Sequence, residues 1–291
     1  MQGSAARLHF EEAIMPAIED AVADHYTTED LLGRIAGALE ASGVDPHAPL
    51  PEDLKAVDEF HTGGLAATDA LLDQVPIDRS TRVLDIGSGL GGTARHIAHR
   101  YGPNVTGVDL TLVFVETARA LSALVGLEGK THYLEGSALE LPIQDASADL
   151  ATLFHVGMNI SDKAAMFAEA ARVLAPGGIF ALFDVMQVGA GPLTFPFPWA
   201  EEAQFSFVDS PAVYRQAAEQ AGLDLAAERD RRDFALDYFA QVFAKIGAEG
   251  PPALGIHLLM RETAGQKLQN YVACCEAGLI APVEMIFRKP A

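Results

Sequence analysis

The stretch Val83-Leu-Asp-Ile-Gly-Ser-Gly-Leu-Gly-Gly92 decides how this chain is read. Three apolar residues, Val83, Leu84 and Ile86, are interrupted by one acid, Asp85, and run into Gly87, Gly89, Gly91 and Gly92. Thr93–Arg100 then reads as the start of a helix. A buried strand that enters a glycine turn and then a helix is how an open α/β sheet presents a nucleotide site. The glycines let backbone approach a ligand where a Cβ would collide. The helix that follows offers unpaired N–H groups.

The spacing Gly87-x-Gly89-x-x-Gly92 fits the dinucleotide fingerprint, which alone is a weak signal. Asp85 argues for another ligand. A carboxylate two residues before the first glycine points to where a pyrophosphate would lie, and like charges repel. An ammonium would be attracted there instead. S-adenosylmethionine (SAM) carries an amino group and no phosphate. The stretch resembles motif I of the class I SAM-dependent methyltransferases, an acid, one residue, then Gly-x-Gly. That resemblance implies a Rossmann-like α/β fold with a mostly parallel seven-stranded sheet, an antiparallel last strand and SAM as cofactor. It implies a place on that cofactor for Asp85, Gly87, Gly89 and Gly91. An NAD(P)-linked oxidoreductase and a non-catalytic SAM-binding protein stay open as alternatives.

Composition sets outer bounds. The chain has 291 residues, of which 49% are apolar, enough for one α/β domain with an appendage. Twenty basic against 40 acidic residues give a formal net charge of −20. Binding phosphates needs basic surface, so a nucleic-acid partner is not expected. No unbroken apolar run is long enough to span a membrane, and Met1–Phe10 does not read as a secretory signal. The only two cysteines, Cys274 and Cys275, are adjacent and read as helix packing or a reactive thiol. A reduced, cytoplasmic protein without a bound metal is the expectation.

From Thr81 onward, strands alternate with helices, which implies a parallel sheet. The expected strands are 82–86, 104–109, 131–135, 150–155, 179–185, 223–229 and 283–287. The expected helices between them are Thr93–Arg100, Val113–Val125, Lys163–Leu174 and Ser210–Ala221. Residues 8–41 carry apolar residues at helical spacing, with a second helix starting near Thr28; Leu54–Phe60 and Leu65–Val75 look helical too. The expected division is a helical cap at 1–79 and a methyltransferase domain at 80–291, with a helical insertion near 230–282. The insertion, with Phe234–Ile246 and a broken Leu254–Ala277, lies over an acceptor pocket or forms a homodimer face.

Single residues complete the reading. Asp109 ends the second strand, where an acid accepts ribose hydroxyls, with Leu110 against adenine. By resemblance, Ser137 stands where relatives carry an Asp on the adenine amino group, and Ala138 offers its backbone N–H. Small-molecule N-methyltransferases of the sarcosine/dimethylglycine and phosphoethanolamine groups have a glycine turn where this chain has His61-Thr-Gly-Gly64. This implies that Thr62, Gly63 and Gly64 touch the methionine carboxylate of SAM and that His61 faces the acceptor. Tyr26 matches a lid tyrosine. His155 ends the fourth strand and is either a general base or a contact to SAM, because imidazole titrates near neutrality. Met158, Asn159 and the single tryptophan, Trp199, are candidate acceptor contacts. One of Arg231, Arg232 and Arg261 could fork onto an acceptor carboxylate. Together these imply methyl transfer to a small molecule, at an amine nitrogen, or at a hydroxyl with His155 as base.

Overall fold

Apolar side chains alternate sides along each central strand, and this period of two builds a sheet with a core on both faces. The structure, a computed structural model, describes residues 18–27, 30–260 and 263–291. Its strands are β1 Val83–Ile86, β2 Val105–Asp109, β3 Thr131–Glu135, β4 Ala148–Phe154, β5 Leu174–Gln187, β6 Asp224–Asp230 and β7 Ile280–Arg288. They lie in the order β3-β2-β1-β4-β5-β7-β6. The five from β3 to β5 pair in parallel, and β7 runs antiparallel between β5 and β6. The order reverses between β1 and β4, the crevice where open α/β sheets bind ligands.

Two helical layers cover the sheet. Met166 and Phe167 of α7 (Lys163–Val173) and Tyr214 of α8 (Pro211–Gln220) pack on Leu84, Ile86, Leu153 and Leu182. Leu71 of α4 (Gly64–Leu72) and Ile97 of α5 (Gly92–Tyr101) pack on Val83, Val105, Leu150 and Phe183, on the opposite face. Each such apolar side chain contributes about 1.5–3 kcal/mol on burial.

The termini of elements differ from expectation in instructive places. β5 begins at Leu174, directly after α7, and continues to Gln187 because β7 pairs with it from Ile179 onward. The predicted helix 54–60 is instead a 3-10 turn at Pro51–Leu54 followed by α3, Lys55–Asp58. Glu59 leaves helical geometry, which turns the chain toward His61. Among the described residues, the region between β6 and β7 holds helices α9 (Arg232–Glu249) and α10 (Ala264–Glu276), with a 3-10 turn at Ile256–Leu258 between them.

Toward the N-terminus, residues 18–26 form helix α1 and Leu31–Ala41 form α2. Leu31, Ile35 and Leu39 of α2 pack on Phe114 and Leu121 of α6 (Leu112–Leu124) and on Leu254 and Leu259. The predicted helix start at Thr28 and the helical stretch before residue 18 lie outside the described residues. Among the described residues no helix is long and apolar enough to cross a membrane.

Candidate functional site

The glycine turn is built onto β2. Gly87 N and Ser88 N both donate to Val108 O, at 2.8 and 3.0 Å. Gly89 has φ 51°, and a Cβ there would meet nothing within 4 Å, so this turn presents bare backbone to open space. Gly91 has φ 81°, and its Cβ would fall 2.4 Å from the Tyr133 hydroxyl, beneath the turn. One glycine thus clears room for a ligand, and the other lets the turn sit down on the sheet.

Asp109 holds the turn in place. Its Oδ2 accepts from Gly89 N at 2.7 Å and its Oδ1 from Thr111 N at 2.9 Å. Burial pushes its carboxyl above the usual range, and these two backbone donors pull the other way. Asp85 is different. Its Oδ1 accepts from Thr152 Oγ1 at 2.7 Å, while Oδ2 is buried without a hydrogen-bond partner. Burial, reinforced by the charges of Glu59 and Asp109, pushes this carboxyl up to about 7. A buried acceptor with no donor is costly. An ammonium group would donate to it, so this acceptor fits the amino-acid end of SAM.

Two cavities meet at the carboxyl ends of the strands. The first encloses about 1190 Å³, mouth included, and carries Asp85, Gly87, Gly89, Asp109, Leu110 and Ala138 on its wall. The second encloses about 510 Å³ and is lined by Met158, Trp199, Tyr238, Phe239 and Tyr271, among others. Tyr26, Phe60, His61 and His155 line both.

This shared wall is dense in titratable groups. His155 has φ 52°, and its Nε2 is buried without a partner. Burial, and next the charge of His61, push its pKa well below the usual histidine range, so the ring is neutral. His61 Nε2 lies 2.9 Å from Glu59 Oε2, which also accepts from Thr68 Oγ1 at 2.8 Å. Burial would raise the Glu59 carboxyl, yet its bond to His61, the charges of His61 and Lys55 and the Thr68 bond hold it down at about 2. Asn159 Nδ2 donates to the Tyr26 hydroxyl at 3.2 Å, tying α1 to the end of β4.

Other predicted residues stand elsewhere. Thr62 faces the second cavity, its hydroxyl 2.8 Å from that of Tyr271. Gly63 and Gly64 open α4 and are on neither cavity wall, nor is Gly91. The Ser137 hydroxyl donates to Glu19 and accepts from Leu139 N at 2.9 Å. Trp199 both stacks on Phe197, at 4.6 Å between centroids, and walls the second cavity. Arg231 pairs with Glu284, Arg232 donates to Glu276 O, and neither is on the wall of these two cavities; Arg261 lies outside the described residues. Cys274 and Cys275 are buried against α9 and the loop carrying Trp199, and burial pushes the Cys275 thiol up to about 12, as suits packing. Glu19, Glu59, Tyr238 and Tyr271 escape sequence reading. Only Glu59, two residues before His61, had a neighbour that could have flagged it.

Known proteins converge on the same assignment. Residues 84–182 match the family described as Methyltransferase domain. The chain is 28% identical over 213 residues to a sarcosine/dimethylglycine N-methyltransferase of Aphanothece halophytica, covering 72% of this chain and 76% of that protein. A phosphoethanolamine N-methyltransferase 2 of Haemonchus contortus, solved with S-adenosyl-L-methionine, superposes with TM-score 0.68 at 19% identity, over 83% of this chain and 57% of that one. A geranyl diphosphate C-methyltransferase of Streptomyces coelicolor A3(2), solved with S-adenosyl-L-homocysteine, gives TM-score 0.69 at 16% identity, over 94% and 98%. The motif I acid and glycines, the reversal of strand order beside them and the matched domain agree: residues 84–182 carry a methyltransferase domain, and the chain is similar to SAM-dependent methyltransferases of small molecules.

Proposed function

We propose that the protein methylates an amine nitrogen of a small molecule held in the second cavity, with SAM in the first. The observation that carries this reading is the wall the two cavities share at Tyr26, Phe60, His61 and His155. The names of similar proteins, sarcosine/dimethylglycine and phosphoethanolamine N-methyltransferases, support an amine. Bound SAM supplies a methyl already activated by its sulfonium. The chain's own task is to position the partners and keep water out.

Asp85 takes the ammonium of the cofactor, and Asp109 the ribose hydroxyls. The aromatic wall of the second cavity, with Trp199, Tyr238 and Tyr271, holds apolar or cationic acceptors. His155, kept neutral by burial, accepts a hydrogen bond from the acceptor N–H and aims the lone pair. Its depressed basicity suits this orienting role better than abstraction of a hydroxyl proton. Residues 1–79 act as the cap, and the setting is a reduced, cytoplasmic one.

Labelled SAM and a panel of primary, secondary and hydroxylic acceptors test the reading. Sustained incorporation into amines is expected, with kcat/KM climbing with pH as the acceptor loses its proton. His155→Ala should cost less than tenfold in kcat with an amine. A loss of about 10²–10⁴, confined to hydroxyl acceptors, would favour O-methylation with His155 as base.

A further inference from the structure

We infer that Glu19, on helix α1, is the residue that reads the adenine amino group of SAM. This inference rests on the SAM assignment above. Besides Asp109, the first cavity is lined by apolar Leu110 and Ala138 and by Ile18 and Val22 of α1, an apolar slot in composition. Such a slot suits the faces of a flat base, whose edge then needs polar partners. The C6 amino group of adenine is a donor and requires an acceptor.

Ser137, at the end of β3, is poorly placed to be that acceptor. Its one proton goes to Glu19 Oε1, and Leu139 N already donates to its oxygen at 2.9 Å. Glu19 lines the cavity itself. As a carboxylate it accepts only and has lone pairs beyond the one that Ser137 engages. The serine thus acts as a positioning residue that holds a carboxylate delivered by α1. Base recognition thereby depends on where α1 sits, because the reading group is carried on that helix.

Calorimetry separates this inference from the SAM assignment. S-adenosylhomocysteine is compared with S-inosylhomocysteine, in which a 6-oxo acceptor replaces the 6-amino donor. The full-length protein should prefer the adenosyl compound by about tenfold or more, the size of one charge-assisted hydrogen bond. Glu19→Ala should weaken adenosyl binding by a similar factor and bring the two ligands within about threefold of each other. Ser137→Asp in the Glu19→Ala background should restore the preference. Hydrogen exchange should show residues 18–26 protected more by the adenosyl than by the inosyl ligand. Retained preference in Glu19→Ala, or equal binding of both ligands to the wild type, would overturn the role of Glu19 and leave the SAM assignment standing. Failure of the wild type to bind either ligand would overturn both.

Discussion

At the scale of single residues, the arrangement turns on a carboxylate that is costly to ionise. Asp85, pushed up to about 7 by burial, is neutral below that pH and anionic above it. The folded state therefore binds the proton more tightly than the unfolded chain. The stability this group contributes is full at low pH and is lost as pH rises through about 7. An ammonium ligand prefers the anion, so affinity for S-adenosylhomocysteine should rise about fivefold to tenfold from pH 6 to pH 7.5, read by calorimetry. Asp85→Asn should flatten that profile and weaken binding by more than about tenfold. The same substitution should raise the melting temperature of the ligand-free protein at pH 8, because no buried charge remains. A ligand-free variant less stable than wild type at pH 8 would contradict the assigned strain.

At the scale of elements, the glycine turn separates two demands that look alike in sequence. Gly89 and Gly91 both have positive φ, yet one faces open space and the other the Tyr133 hydroxyl. Gly89→Ala should cost only about 1–2 kcal/mol of stability for the left-handed backbone. It should nonetheless reduce S-adenosylhomocysteine affinity by more than about tenfold, since a methyl enters the ligand's space. Gly91→Ala adds overpacking to the same backbone penalty and should cost about 2–4 kcal/mol in denaturant titration. Equal stability losses in the two variants would show that the turn is not seated as described. The strand ends carry a related lesson. β3 matches its sequence expectation, Thr131–Glu135, because turn-forming residues bound a short run. β5 outgrows its expectation because β7, distant in sequence, supplies the partner that lets it continue.

At the scale of the whole molecule, the fold closes only when ends far apart in the chain meet over the sheet. α1 brings Tyr26 to the shared wall, while the loop after β5 brings Trp199, and α9 and α10 bring Tyr238, Phe239 and Tyr271 to the second cavity. A ligand in the first cavity should therefore stabilise the molecule globally. At about 100 times its Kd, S-adenosylhomocysteine should add about 2.7 kcal/mol. That corresponds to a rise of about 4–5 °C in melting temperature for a chain of this size. NAD at the same concentration should leave the melting temperature unchanged; a shift with NAD alone would return the fingerprint to the oxidoreductases.

The sequence by itself determined the sheet, the glycine turn and the acids Asp85 and Asp109 at its edge. Those features rest on local rules: period-two burial, glycine backbones and the place of an acid at a strand end. Only the tertiary structure decided that Thr62 turns to Tyr271, that Ser137 spends its proton on Glu19, and that His155 is neutral. Each of these depends on which distant side chains burial brings together. Sequence spacing carries no record of that, because desolvation and hydrogen bonding act through space.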